Sequence, residues 1–187
     1  MGLSHLNGAR KLSTALISAV SALCLFPEAQ IAAQEEIDSV VGNSRSPSWE
    51  DFDEGRLPYV SALAKEILRW RPVVEMACAN PSTRDVMFRD FLIPKGTQIV
   101  CNIWAIHRNA RDFPSADVLR PERFLQNTED GLKFHDPNGG ENNAFGWNMQ
   151  WCNGQALAEQ SLLSVLARLL WAFRVEPGLD KSVSTQD

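Results

Sequence analysis

The 187-residue sequence contains no C-x-x-C pair: Cys24, Cys78, Cys101 and Cys152 stand far apart, which excludes a zinc knuckle and a dithiol redox motif. An even number of cysteines does not by itself establish disulfides. A basic cluster is also missing. With 18 basic and 23 acidic residues the net charge is -5, and no stretch would track a phosphate backbone, so nucleic acid is excluded as a partner. No internal repeat or low-complexity tract is present, and no apolar run reaches the roughly 18 to 20 residues that span a bilayer.

What remains is 44% hydrophobic, enough for one packed core and so for one domain. Arg10 and Lys11 precede "LSTALISAVSALCLF", the outline of a secretory signal. The run continues into "PEAQIAAQEEIDSVVG", whose apolar residues recur at helical spacing, so a cleavage site there would cut into a helix start. We read residues 12–26 as a core helix, with a signal over residues 1–33 as the alternative. Pro27 opens a second helix over 27–41 and Gly42 closes it. Leu57, Val60, Leu63, Ala64, Ile67 and Leu68 mark an amphipathic helix over 57–70, ended by Pro72.

Residues 86–106 carry two β-favouring runs around Pro94-Lys95-Gly96, which predicts a hairpin turn there. Residues 108–143 are charged, rich in proline and aperiodic, which predicts a long surface connection running into the cysteine loop and ending at Cys152. Beyond Gly154, Leu157, Leu162, Val165, Leu166, Leu169 and Leu170 predict a helix over 154–173. The fold class is mainly α with a small β portion, α+β.

Cys152 lies just ahead of that last helix, where unpaired amides and the positive dipole end favour a thiolate. It is read either as a nucleophile or soft-metal ligand, or as a small side chain that only packs. A cysteine nucleophile wants a histidine base, and the choices are His5, His107 and His135. His107 is the one in structured sequence, where it also reads as a satisfied histidine at a strand end. Glu66 and Arg69 sit three apart and can touch. At about 100° per residue they project away from the apolar stripe, as an exposed pair. "RPERF", Arg120 to Phe124, reads as a charged turn.

The order of the pieces adds information. "KEILRWRP", "PKGTQIVCNIWAIHRN", "RPERF", then F-G-x-x-x-x-x-C-x-G before a helix, resembles the C-terminal part of the cytochrome P-450 family of haem-thiolate monooxygenases, from about Asn7 onward. The resemblance implies an incomplete C-terminal part of that fold, without the family's larger N-terminal part and its frequent membrane anchor. It implies haem as cofactor, Cys152 as the axial thiolate on iron, and Phe145, Gly146 and Gly154 around it. Glu66, Arg69 and Arg123 would form a structural triad that locks the loop before the cysteine. A small organic substrate and an electron-donating reductase are the implied partners, and insertion of one oxygen atom from O2 the implied activity.

Five positions depart from the family pattern. Asn148 stands in place of a loop glycine, Gln150 in place of an arginine two residues before the cysteine, and Asn80 in place of a histidine; the last two would pair with haem propionates. Arg10 and Lys11 stand where an acid and a threonine deliver protons, unless Ser13 or Thr14 substitutes in a shifted register. Two lost charged hydrogen bonds amount to about 3 to 6 kcal/mol, or some two to four orders of magnitude in haem affinity. These departures define the alternative, a catalytically inactive haem-binding or structural remnant.

Overall fold

The computed structural model describes residues 2–76, 80–136, 143–146 and 152–178, with side chains from Arg10 onward, that of Asn143 excepted. Cys78, Asn148 and Gln150 lie outside the described residues. Helix α1 spans Gly2–Leu25 and α2 spans Pro27–Val40. The chain turns by 103° between them, at Phe26, where Pro27 cannot donate a backbone hydrogen bond and instead opens the next helix. No single helix among the described residues is long and apolar enough to cross a membrane.

Helix α4, Pro58–Trp70, is the centre of the helical body. Val60, Leu63, Ile67 and Leu68 from it pack with Ala19, Leu23, Ala33 and Ile37 of α1 and α2, and with Leu162, Leu166 and Leu170 of the last helix, α6, Gln155–Ala172. The small residues Ala15, Ala19, Ala22, Ala29 and Ala33 are buried where helices approach, while leucines and isoleucines fill the space between. Polar side chains tie the helices end to end. Glu36 of α2 accepts the N–H groups of Tyr59 at 2.8 Å and Val60 at 2.9 Å, capping the start of α4, which has no side-chain cap of its own. Buried Gln30 both donates to the carbonyl of Val175 and accepts from its N–H, and Gln34 donates to the carbonyls of Leu170 and Phe173. These bonds fix the chain leaving α6 against α2.

The β portion differs from the expected arrangement. Strands β1 (Asn80–Pro81), β2 (Val86–Phe88), β3 (Phe91–Ile93) and β4 (Gln98–Ile99) form two two-stranded pieces, β1 with β4 and β2 with β3. The hairpin turn is Arg89-Asp90, with Phe88 opposite Phe91. Pro94-Lys95-Gly96 is a turn, with Gly96 at φ +87, but it delivers the chain to the other sheet. The hairpin was hidden because its turn holds two charged residues, with Arg89 taking the left-handed conformation (φ +54) that glycine or asparagine normally signals. Within 86–106 the last strand ends at Ile99. Asn102 caps a short helix α5, Ile103–Ile106, by accepting the N–H of Ala105 at 2.9 Å.

The stretch expected to be a plain connection contains a 3₁₀ turn, Pro121–Phe124, and a hairpin of β5 (Leu125–Thr128) with β6 (Gly131–Phe134). That ribbon is largely exposed, and its four-residue strands are too short for an alternation to stand out in the sequence. Between α2 and α4, the short helix α3, Trp49–Asp53, is stapled by Asp51. Its fully buried carboxylate lies 2.7 Å from guanidinium nitrogens of both Arg45 and Arg56 and accepts the N–H of Ser48 at 2.9 Å.

The hydrogen bonds from Arg45 hold Asp51 well below the usual carboxylate range, against the opposing effect of burial. A depressed folded-state pKa stabilises the fold above the unfolded value of about 3.9, and that contribution is lost as pH falls through the folded value. Asp51→Ala is expected to cost about 2 to 3 kcal/mol at pH 7, since its partners are partly solvated. Urea unfolding at pH 7 and pH 3 checks this: the wild-type advantage should shrink at pH 3, and an advantage independent of pH would contradict it.

Candidate haem-thiolate site and its supporting lock

The far side of α4 is not solvent. Glu66 is fully buried and Arg69 nearly so, which corrects the expectation of an exposed pair. Loop residues following α5 cover this flank, forming a second small core of Ala62, Phe113 and Phe124. Periodicity missed the burial because the covering layer is polar. Its backbone carbonyls, not apolar side chains, receive the charged groups.

The geometry is a two-sided clamp. Arg69 Nε and Nη2 lie 2.7 and 2.8 Å from the two oxygens of Glu66, a bidentate pair. Its remaining donors reach the carbonyls of His107 and Ala116, each at 2.8 Å, and its guanidinium lies over the Phe113 ring at 5.3 Å. Glu66 Oε1 also accepts the N–H of Arg120 at 2.9 Å and Arg123 Nε at 3.3 Å. Arg123 donates in turn to the carbonyl of Ser115 at 2.9 Å. Burial pulls the Arg123 pKa downward, with Glu66 opposing that shift. Glu66, Arg69 and Arg123 thus meet in space, and the "RPERF" turn folds onto the helix 54 residues earlier.

The neighbouring groups extend the clamp. Trp70 Nε1 donates to the carbonyl of Asp117 at 2.9 Å, and Arg108 Nη2 to that of Trp70 at 2.9 Å. The Arg108 guanidinium stacks on the Trp104 indole. His107 is buried at the end of α5, its pKa pushed down to about 4 by burial and then by Arg69. That makes it a neutral member of a cationic neighbourhood, and it sits after a helix rather than at a strand end. Most of the partners absent from the sequence reading are main-chain groups of His107, Ser115, Ala116, Asp117 and Arg120, which carry no residue-type signature.

Cys152 is exposed and free, so it does not pack as a small buried side chain. Its N–H donates to the carbonyl of Phe145 at 2.8 Å, closing the loop, and its carbonyl accepts the N–H of Gln155 at 3.1 Å, opening α6. Phe145 leans on the helical core. Gly146 has φ +104, a conformation glycine takes without strain. Gly154 is different: a Cβ there would meet Cys152 Sγ at 3.8 Å, an ordinary contact. Beyond it Ala156 and Leu157 are exposed, Leu157 at 71%.

Among the described residues no three His, Cys, Asp or Glu side chains gather into a metal-binding group. A prosthetic group that brings its own equatorial ligands needs only one axial donor from the protein. An exposed thiol, with a glycine two residues on and an apolar helix face beyond, fits that requirement. A cleft of about 200 Å³ between α4, β6 and α6, lined by Leu68, Phe134, Leu162 and Leu163 with the ion-paired Lys65 and Asp136, is smaller than common ligand pockets of roughly 300 to 1,000 Å³.

Fold and site together define a mainly helical α+β domain in which a carboxylate-guanidinium lock precedes an exposed cysteine at a helix start. Residues 7–187 match the sequence profile of the family described as Cytochrome P450. The Cytochrome P450 monooxygenase 231 of Postia placenta is 39% identical over 175 residues, 92% of this chain and 30% of that protein. The Cytochrome P450 monooxygenase yanC of Aspergillus niger is 37% identical over 172 residues, 90% and 32% of the two chains. The Cytochrome P450 monooxygenase anuE of Penicillium roqueforti is 34% identical over 179 residues, 94% and 36%. The chain belongs to the cytochrome P450 family, and it spans about a third of the length of the curated relatives it matches.

Removing one side of a buried ion network leaves an uncompensated charge. Arg69→Ala is expected to cost about 3 to 5 kcal/mol of unfolding free energy, and Arg123→Ala, which loses a longer contact, about 1 to 3 kcal/mol. Denaturant unfolding of both variants checks the ranking. Equal, near-zero effects would show that Glu66 needs neither partner.

Proposed function

We propose that this chain is the haem-carrying C-terminal part of a cytochrome P450 monooxygenase, with Cys152 as the axial ligand of the iron. The carrying observation is the exposed thiol at the start of α6, in a chain whose family membership is shown. When bound, haem supplies the O2 activation by which one oxygen atom enters an organic substrate, and a thiolate ligand favours O–O cleavage. The chain's own residues hold and orient. Cys152 would present the sulfur, the Cys152 N–H to Phe145 carbonyl bond ties the two residues together, and Gly146 and Gly154 would flank the bound group. Glu66, Arg69 and Arg123 act at a distance by fixing the chain that leads toward the loop. An electron-donating reductase and a small organic substrate complete the reading.

A second reading, a haem-binding or structural member without catalysis, is favoured by α1. Arg10 and Lys11 are exposed where the family places its proton-delivering acid and threonine. The Thr14 hydroxyl donates back to the Arg10 carbonyl at 3.1 Å, which occupies it within the helix. The two readings share the haem and part at turnover: product formation with a reductase supports the first, and haem binding without product the second.

The chain reconstituted with haem, reduced and exposed to carbon monoxide should give a red-shifted, thiolate-type Soret band that Cys152→Ala abolishes. A band unaffected by the substitution, or no haem uptake, would overturn the ligand assignment. Asn80 is half-buried in β1, and Gln150 is two residues before the ligand. Restoring both cations, Asn80→His with Gln150→Arg, is expected to tighten haem binding by about two to four orders of magnitude. Haem titration of this double variant checks the propionate assignment, which unchanged affinity would contradict.

A further inference from the structure

His107 touches the clamp from two sides. Its carbonyl accepts Arg69 Nη1 at 2.8 Å. Its ring meets the Phe113 ring edge-on, with centroids 6.2 Å apart, and that same ring carries the Arg69 guanidinium at 5.3 Å. The residue is 2% exposed, and its Nδ1 has no hydrogen-bond partner among the described residues. The charges around the ring are cationic or already engaged. Arg69, Arg108 and Lys65 all oppose a positive charge there, and one hydrogen bond to the Arg69 main chain favours it. Of the carboxylates, Glu66 is held by Arg69, Arg123 and the Arg120 N–H, and Asp136 pairs with Lys65 at 2.6 Å. Asp117 lies 3.5 Å from Arg108 with its side chain 92% exposed, and Asp112 accepts the side-chain amide of Asn109 at 2.7 Å.

We propose that His107 is an acid-sensitive switch of the clamp: a second proton on its ring releases residues 107–124 from α4 while the helical core stays folded. The imidazolium would be a fourth cation beside Arg69, Arg108 and Lys65. Moving the ring out to water also withdraws the carbonyl that Arg69 holds, so the proton and the clamp act on one residue. In water the imidazole regains its ordinary pKa of about 6.5, against about 4 in place. The closed form therefore binds fewer protons than the open one. Its full advantage is present above about pH 6.5 and falls about tenfold per pH unit toward pH 4, some two orders of magnitude in all. Asp51 and Glu36 do not supply this fall. Asp51 is held well below that window, and Glu36, its pKa raised by burial, favours the folded form as pH drops. The inference rests on the clamp's geometry and not on the haem reading.

The test is nuclear magnetic resonance of the full 187-residue chain, without haem, between pH 7 and pH 4. Of its three imidazoles, His5, His107 and His135, that of His107 should be the one that titrates below about pH 5. The Arg120 amide, which donates to Glu66, should lose hydrogen-exchange protection by about tenfold between pH 6 and pH 5. At every pH it should exchange faster than the amides of α6, because the clamp opens while that helix stays closed. His107→Gln, neutral throughout, should hold Arg120 protection level over the same range. A His107 midpoint near its ordinary value would overturn the proposal. So would Arg120 protection that ignores pH or equals that of α6, or the same fall in His107→Gln. Titration and exchange are both read on the wild-type chain, so the test decides even if the variant fails to fold.

Discussion

Glu66 is the group on which the rest of the structure depends. A carboxylate with no solvent exposure is stable only if its oxygens are saturated, and here two guanidinium groups and a main-chain N–H do so. Because those donors come from α4 and from the 3₁₀ turn with the residue before it, satisfying the charge forces two distant pieces of chain into one place. The arginines then spend their remaining donors on carbonyls of residues 107, 115 and 116. That fixes the loop without any apolar layer over most of its length.

The same helix serves two environments. One side of α4 packs with α1, α2 and α6 in a hydrocarbon core, and the other carries the charged clamp. Helix α4 therefore joins the helical body to the turn from which the chain leads into β5 and β6. At the far end of that chain, one hydrogen bond from Cys152 back to Phe145 closes a loop and leaves the sulfur at the surface.

The long helices are legible from their apolar stripes, and α2 also from its proline start, Pro27, although α1 begins at Gly2 rather than at residue 12. The central helix is legible to within a residue, and so is the face that carries Glu66 and Arg69, but not the burial of that face, since periodicity counts only apolar neighbours. The hairpin at Arg89-Asp90 was hidden by a turn without glycine, and β5–β6 by strands exposed on both faces. Cys152 could be marked as a candidate from its place before α6, but its exposure could not. Its partner in the loop, the carbonyl of Phe145, belongs to the main chain and leaves no trace in residue type. Asn148 and Gln150 were singled out by resemblance alone and fall outside the described residues.

The central claim is that one sulfur of this chain, that of Cys152, ligates iron. X-ray absorption at the iron edge of the haem-reconstituted chain tests it most directly. The account predicts a single sulfur in the iron's first shell, lost in Cys152→Ser. A first shell of nitrogen and oxygen only in the wild-type chain, or a sulfur that survives the substitution, would contradict it.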